Sequence, residues 1–240
     1  MIDTQENWEG KKKILIILAH PDDPEFFLGG SIVRWTQAGH YVSYCLLTKG
    51  EKGSSDFSLT PQALAQIRVL EQKQAAAILG VDQVEYLDYA DGGLIPDLAT
   101  RKEVVRAIRK HIPDILVTCD PLNYFSNKRY INHPDHRAAG QVVIDAVFPA
   151  AGNAFYYPEL MGEGFLPHSV EEVWMSLTGE PNVVLDVSEY WPLRMSALLQ
   201  HTSQIGDTDV FEQRMRDWLE KDEGGNIKYE EKFRRIIFRR

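Results

Sequence analysis

The chain has 240 residues, 44% of them hydrophobic and 25% charged, the balance of an ordinary soluble globule with enough length for one sizeable core. Its 26 basic against 35 acidic side chains give a net charge of −9, which argues against a nucleic-acid partner, since such binders usually carry a basic patch. No run reaches the ~20 apolar residues of a membrane helix, and the apolar stretch behind Lys11, Lys12 and Lys13 stops too soon for a secretory signal, so a cytoplasmic protein with no membrane partner is expected.

Residues 1–12 are polar and read as a loose arm on a single α/β domain covering residues 1–240. Ile14 to Leu18 is an unbroken, branched apolar run, the pattern of a strand buried on both faces of a parallel sheet. It ends in His20-Pro21-Asp22-Asp23-Pro24-Glu25, and such strands present ligand-binding residues at their carboxyl ends. Phe26 to Gly30 then leads into a helix over Ser31 to Ala38, closed by Gly39. Tyr41 to Leu47 is the next strand, so this unit should be a right-handed crossover. Thr60 and Pro61 start a long helix that carries Arg68 and Glu71 and stops at Gly80. Val84 to Leu87 is a short strand that empties into the polar loop Asp88 to Gly93. Asp91 at that strand end is a candidate for the wall of a substrate pocket.

A helix over Thr100 to His111 leads to a fourth buried strand, Ile115 to Thr118. The loop 120–132 follows, with Tyr124, Phe125 and Tyr130 in it. Pro134 opens a helix whose stripe includes Ala138, Val142 and Val143, so His133 and His136 sit at a helix amino terminus beyond a strand's carboxyl end. The last third is less regular. It has an aromatic segment 155–165, strands near 173–177 and 183–187 joined as a hairpin or edge addition, a helix 192–201 and a charged helix 209–222. The expected fold is therefore α/β, a Rossmann-like, mostly parallel sheet with helices on both faces and edge additions in the C-terminal third. Cys45 and Cys119 fall in apolar strands without metal or redox spacing and read as buried, reduced thiols.

Two histidines and an aspartate converging on an open position form the ligand set of a hydrolytic zinc site, which leaves its fourth corner to water. His20, Asp23 and His136 are that set here. Asp22, the spare carboxylate beside a ligand, is placed to act as general base, and His133, one turn from His136, can donate to an oxyanion. The blander alternatives are an N-cap cluster at Asp22-Asp23 and a capping His133. The address shared by both motifs, each beyond a strand's carboxyl end, favours the metal site. Iron(II) in a two-histidine, one-carboxylate oxygenase uses the same ligand types, usually on an all-β fold, and ranks lower. A non-catalytic Rossmann-like module approaching a phosphate at Gly29-Gly30 ranks third, because no GxGxxG follows the strand.

At the AHPDD segment (Ala19 to Asp23) and the HPDH segment (His133 to His136) the sequence resembles the LmbE-like, or PIG-L-like, zinc-dependent N-deacetylases. Weaker features extend the likeness: Lys49-Gly50-Glu51, Arg68 with Glu71, His201-Thr202-Ser203-Gln204, and Tyr229 to Arg234. The resemblance implies zinc on His20, Asp23 and His136, with iron(II) as the alternative metal. It implies Asp22 as base, His133 as oxyanion stabiliser or acid, and Arg68 in contact with substrate. It further implies removal of an acetyl group from an N-acetylated amino sugar or its conjugate, and a homo-oligomeric assembly. Arg194 departs from the lysine expected before the His-x-Ser-Gln segment, which bears on a packing or a substrate contact.

Overall fold

The computed structural model describes residues 2–56, 58–127, 130–217, 219–221, 224–225 and 227–238. In chain order the elements are β1 (Lys13–Leu18), α1 (Asp23–Gln37), β2 (Tyr41–Thr48), α2 (Pro61–Ile78), β3 (Gln83–Tyr89), α3 (Leu98–His111) and β4 (Ile115–Cys119). A small hairpin follows, β5 (Phe125–Asn127) with β6 (Tyr130–Ile131), and then α4 (Pro134–Asp145), α5 (Glu159–Gly162), β7 (Glu172–Ser176) and β8 (Val183–Asp186). The remainder comprises α6 (Trp191–Leu198), α7 (Thr202–Ile205), α8 (Thr208–Asp217), the strand pair β9 (Glu220–Lys221) and β10 (Ile227–Lys228), and β11 (Glu230–Ile237).

Seven strands form one sheet in the order β3-β2-β1-β4-β7-β11-β8. The pairs from β3 through β7 are all parallel, whereas β11 runs antiparallel to both of its neighbours. The order reverses at β1, with β2 on one side and β4 on the other, and a reversal of this kind opens a crevice at the carboxyl ends of the two central strands. The unbroken apolar run of β1 serves two cores. Ile14, Ile16 and Leu18 pack with Leu28, Ile32 and Trp35 of α1, and Leu15 and Ile17 pack with α3 and α4 through Val104, Ile108 and Val142.

Four expectations need correction. The amino-terminal arm is pinned: Asp3 bridges to Val183, the Glu6 carboxylate accepts from Arg34 and from Trp35 Nε1, and the Trp8 ring lies 5.3 Å from that of Trp174. Met1 lies outside the described residues, as do Lys128 and Arg129 of the loop 120–132. β7 and β8 do not make a hairpin, because β11 lies between them; of the two alternatives the edge addition holds, with β8 as the last strand of the sheet. The charged helix ends at Asp217 rather than at 222; Trp218 and Asp222 lie outside the described residues, and Glu220–Lys221 is strand. Finally, α1 starts at Asp23 but breaks at Leu28 (φ −153°), so the expected helix over 31–38 corresponds to its second segment. The break frees the Gly30 and Ser31 N–H groups, which the Glu231 carboxylate of β11 accepts at 2.9 and 2.7 Å. Among the described residues no helix is long and apolar enough to cross a membrane.

Candidate active site

The loop after β1 is held taut. Ala19 O accepts from both the backbone N–H and the hydroxyl of Thr48 on β2, which leaves His20 to Asp22 to turn sharply into α1. Asp22 makes that turn with φ 84° and ψ −27°, a left-handed conformation that costs a non-glycine residue ~1–2 kcal/mol. It stands at the N-cap position of α1, yet its side chain makes no capping hydrogen bond, so the simple N-cap reading of this carboxylate fails. His133 does cap α4, with Nδ1 accepting from the Asp135 N–H at 3.2 Å. That bond puts the proton of a neutral His133 on Nε2.

The two motifs meet at the crevice. His20 Nδ1 lies 3.3 Å from His136 Nε2 and 3.4 Å from Asp23 Oδ2, and His136 Nε2 lies 3.0 Å from Asp23 Oδ1. A tetrahedral zinc with bonds of ~2.0–2.1 Å needs ligand atoms ~3.3–3.4 Å apart; the two imidazole nitrogens meet that spacing, and the Asp23 carboxylate lies against both, offering one oxygen to each ring. A divalent metal fits them. The His133 ring stands edge-on to His20, with centroids 4.7 Å apart, and its ligand atom joins those of His20 and His136 in a group within 4.8 Å. The structure therefore brings His20, Asp23, His133 and His136 together from two motifs more than a hundred residues apart, with Asp22 beside Asp23 in the turn and its carboxylate paired with Arg68.

Each imidazole is oriented from behind. His136 Nδ1 bonds Asn132 Oδ1 at 2.9 Å, which puts the proton of a neutral ring on Nδ1 and leaves Nε2, the atom 3.0 Å from Asp23, for a metal. His20 Nε2 lies 3.3 Å from Asp135 Oδ2 and 3.2 Å from Asp91 Oδ1, which leaves Nδ1 for a metal. Asp135 is itself fixed by the Gly92 and Leu94 N–H groups, and Asp91 accepts from the Lys52 N–H. Asp91, expected on a pocket wall, is thus buried behind His20, where partners of this kind set ring orientation and ligand basicity. Asn132 and Asp135 were not singled out from the sequence. The aspartate inside the His-Pro-Asp-His segment was the available signal, although nothing in its spacing tells which way it faces.

The two neighbouring carboxylates sit in different fields. Burial works to raise Asp23, but the charges of His136 and His20 hold it well below the usual carboxylate range. Burial pushes the Asp22 carboxyl up to about 6; Arg68 pulls against this rise and Asp23 adds to it. Burial opposes charge on His20, yet Asp23, Asp135 and Asp91 outweigh it and push the imidazole of the metal-free protein up to about 12. His133 is lowered by burial and by the other two rings, which favours its neutral form.

Arg68, expected at the substrate, is only 4% exposed and faces inward. Its guanidinium donates to Gly50 O and Pro21 O and pairs with Asp22 Oδ2 at 3.2 Å. A Cβ at Gly50, where φ is +65°, would fall 2.0 Å from the Arg68 Nη1, so that turn needs glycine on both counts. Glu71 is buried as well and holds the start of α7 through Thr202 and Ser203. His201 pairs with Glu25 at 3.2 Å, both fully buried. Arg194 makes a packing contact: it donates to Glu25 O and Phe26 O and lies over the Trp191 and Tyr229 rings. Gly29 and Gly30 admit the Arg194 and Val187 side chains, which occupy the space a phosphate would need in the binding-module alternative.

Residues 15–147 match the family model described as PIG-L, GlcNAc-PI de-N-acetylase. The chain belongs to the PIG-L family. Within that family it is 38% identical over 207 residues to a diacetylchitobiose deacetylase of Thermococcus kodakarensis, covering 86% of this chain and 75% of that protein. A probable N-acetyl-alpha-D-glucosaminyl L-malate deacetylase 2 of Bacillus anthracis is 29% identical over 230 residues, covering 89% of this chain and 94% of that one. The solved N,N'-diacetylchitobiose deacetylase of Pyrococcus horikoshii, complexed with its inhibitor MPG, superimposes with a TM-score of 0.87 at 30% identity over 98% of this chain and 87% of that chain. The PIG-L chain described here is accordingly a deacetylase, an enzyme that hydrolyses an amide, on the α/β fold of its relatives.

Proposed function

We propose that the protein is a zinc-dependent N-deacetylase of the N-acetylglucosamine type, acting on an N-acetylated amino sugar or its conjugate. The observation that carries this reading is the trio His20 Nδ1, Asp23 and His136 Nε2, spaced 3.0–3.4 Å apart beside a carboxylate that caps nothing. When bound by these three side chains, zinc would act as a Lewis acid toward the acetamide carbonyl and lower the pKa of a coordinated water. Asp22 takes a proton from the attacking water, a role suited to a carboxylate held ionised but close to neutral pH. His133, its proton on Nε2, donates to the carbonyl oxygen as negative charge develops there. The proton held by Asp22 then passes to the amine nitrogen as the C–N bond breaks. Asp22 returns to its carboxylate form, and the acetic acid so formed passes its remaining proton to the amine, so that acetate and an ammonium group leave.

The sugar is supported by the relatives, two of them named for diacetylchitobiose and one for a glucosaminyl malate. A reducing, cytoplasmic setting is supported by the two buried free thiols, Cys45 and Cys119. The test is metal analysis of the purified protein, followed by an amine-release assay on N-acetylglucosamine, diacetylchitobiose and N-acetylglucosaminyl malate. Zinc on the protein and amine from at least one of these compounds is the expected result. A zinc-loaded protein that releases amine from none of them, or an iron protein that consumes oxygen, overturns the proposal.

A further inference from the structure

We infer that Gln72, with Glu25 and His201 behind it, is a positioning residue for Asp22, and that the peptide joining Pro21 to Asp22 is the part it holds. The inference rests on the proposal that Asp22 is the general base. Both polar atoms of that one peptide unit are gripped by α2: Pro21 O accepts from Arg68 Nη2 at 2.6 Å, and the Asp22 N–H donates to Gln72 Oε1 at 2.8 Å. Arg68 and Gln72 stand at i and i+4, one above the other on a single helix face. A residue at φ 84° relaxes by swinging its peptide plane unless the surroundings prevent it, and here two side chains pin the plane at opposite ends.

The direction of the Gln72 amide is fixed as well. Its Nε2 donates to Glu25 Oε1 at 2.9 Å, so its oxygen must face Asp22. The other Glu25 oxygen meets His201 Nε2 at 3.2 Å, and Gln72, Glu25 and His201 are all 0% exposed. The chain of bonds therefore runs from His201, at the start of α7, through Glu25 and Gln72 to the backbone of Asp22. The Asp22 side chain makes no capping bond and pairs through Oδ2 with the Arg68 guanidinium at 3.2 Å, so that α2 holds the residue at both backbone and carboxylate. None of these bonds touches the proposed ligands. His20, Asp23 and His136 are held by Asp135, Asp91, Asn132 and the His20 N–H, which donates to Asp23 Oδ2.

The test compares metal-loaded variants in the amine-release assay. Gln72→Met keeps the volume and removes both bonds; kcat should fall about ten- to hundredfold, the loss typical of a misplaced catalytic group, with KM and bound metal within about twofold of wild type. Gln72→Glu alone sets two carboxylates against each other and should be as slow. The exchange Glu25→Gln with Gln72→Glu rebuilds the chain with its ends swapped and should recover most of the lost kcat, a rescue that a merely space-filling role does not produce. Wild-type kcat in Gln72→Met, loss of its metal or fold, or an exchange variant no faster than Gln72→Met each overturns the inference. Asp22→Asn, run alongside, separates the two claims: if it is inactive while Gln72→Met runs at full rate, the positioning role alone falls.

Discussion

The two walls of the crevice are built for different tasks. The α4 wall contributes His136, with Asn132 behind it, His133 at the helix start, and Asp135 turned toward His20. The α2 wall contributes none of the proposed ligands. Arg68 and Gln72 are spent on the backbone of Pro21 and Asp22, and Glu71 anchors α7. Asp22 and Asp23, adjacent in sequence, divide between the walls: Asp23 faces two imidazoles whose charge pulls it far down against its burial, whereas Asp22 is raised by burial even though the Arg68 guanidinium on α2 works against the rise. Environments that push two carboxylates apart in this way assign one to permanent charge and the other to proton transfer. Metal affinity should thus belong to one wall and the rate of proton transfer to the other.

That division can be broken most directly at His136. His136→Ala should lose bound metal and activity together, read by metal analysis after dialysis; full metal retention would contradict the ligand assignment. Asp22→Asn sharpens the contrast, because it should keep its metal while kcat falls by about 10²–10⁴-fold, the range for a lost general base. His133→Ala should also keep its metal and lower kcat by about 10²–10³-fold, as for a lost oxyanion donor, with KM changed far less. Asp135→Asn should weaken metal binding about 10–100-fold, measured by chelator competition, with kcat near wild type at saturating metal. The smallest effect is a slope. Asp23, Asp135 and Asp91 outweigh burial and push the His20 imidazole of the metal-free protein up to about 12, so metal binding near neutral pH displaces a proton from it. Affinity should therefore rise with pH, about tenfold per unit for one proton released, and an affinity flat between pH 6 and 8 would contradict the proton accounting.

What the sequence made legible was the interior of the sheet and the addresses of the two motifs. The β1, β2 and β4 runs are apolar on both faces because helices cover both, so composition alone marks them. β11 escaped because it buries charge: Glu231 and Arg235 are 3% and 9% exposed, in a segment whose hydropathy suggests a surface. Glu231 is there to serve the N–H groups freed at Leu28, a partnership visible only after folding. The same holds for Asn132, Asp135 and Gln72. Their chemistry is ordinary, and their function lies in a direction that tertiary packing sets. The arm was misread for a similar reason, since Glu6 and Trp8 look solvated until Arg34, Trp35 and Trp174 are brought beneath them.

The placement of β11 has a consequence for how the molecule is made on the ribosome. β7 and β8 leave the exit tunnel about forty to fifty residues before the strand that must slide between them, so a nascent chain carries two open strand edges while every proposed metal ligand is already outside. Until residues 230–237 follow, Gly30 and Ser31 lack their carboxylate partner and the entry helix beside Asp22 is unfinished. Translation stalled in that interval should expose a sticky, half-built sheet, and a chaperone that shields strand edges would be most useful to this deacetylase then.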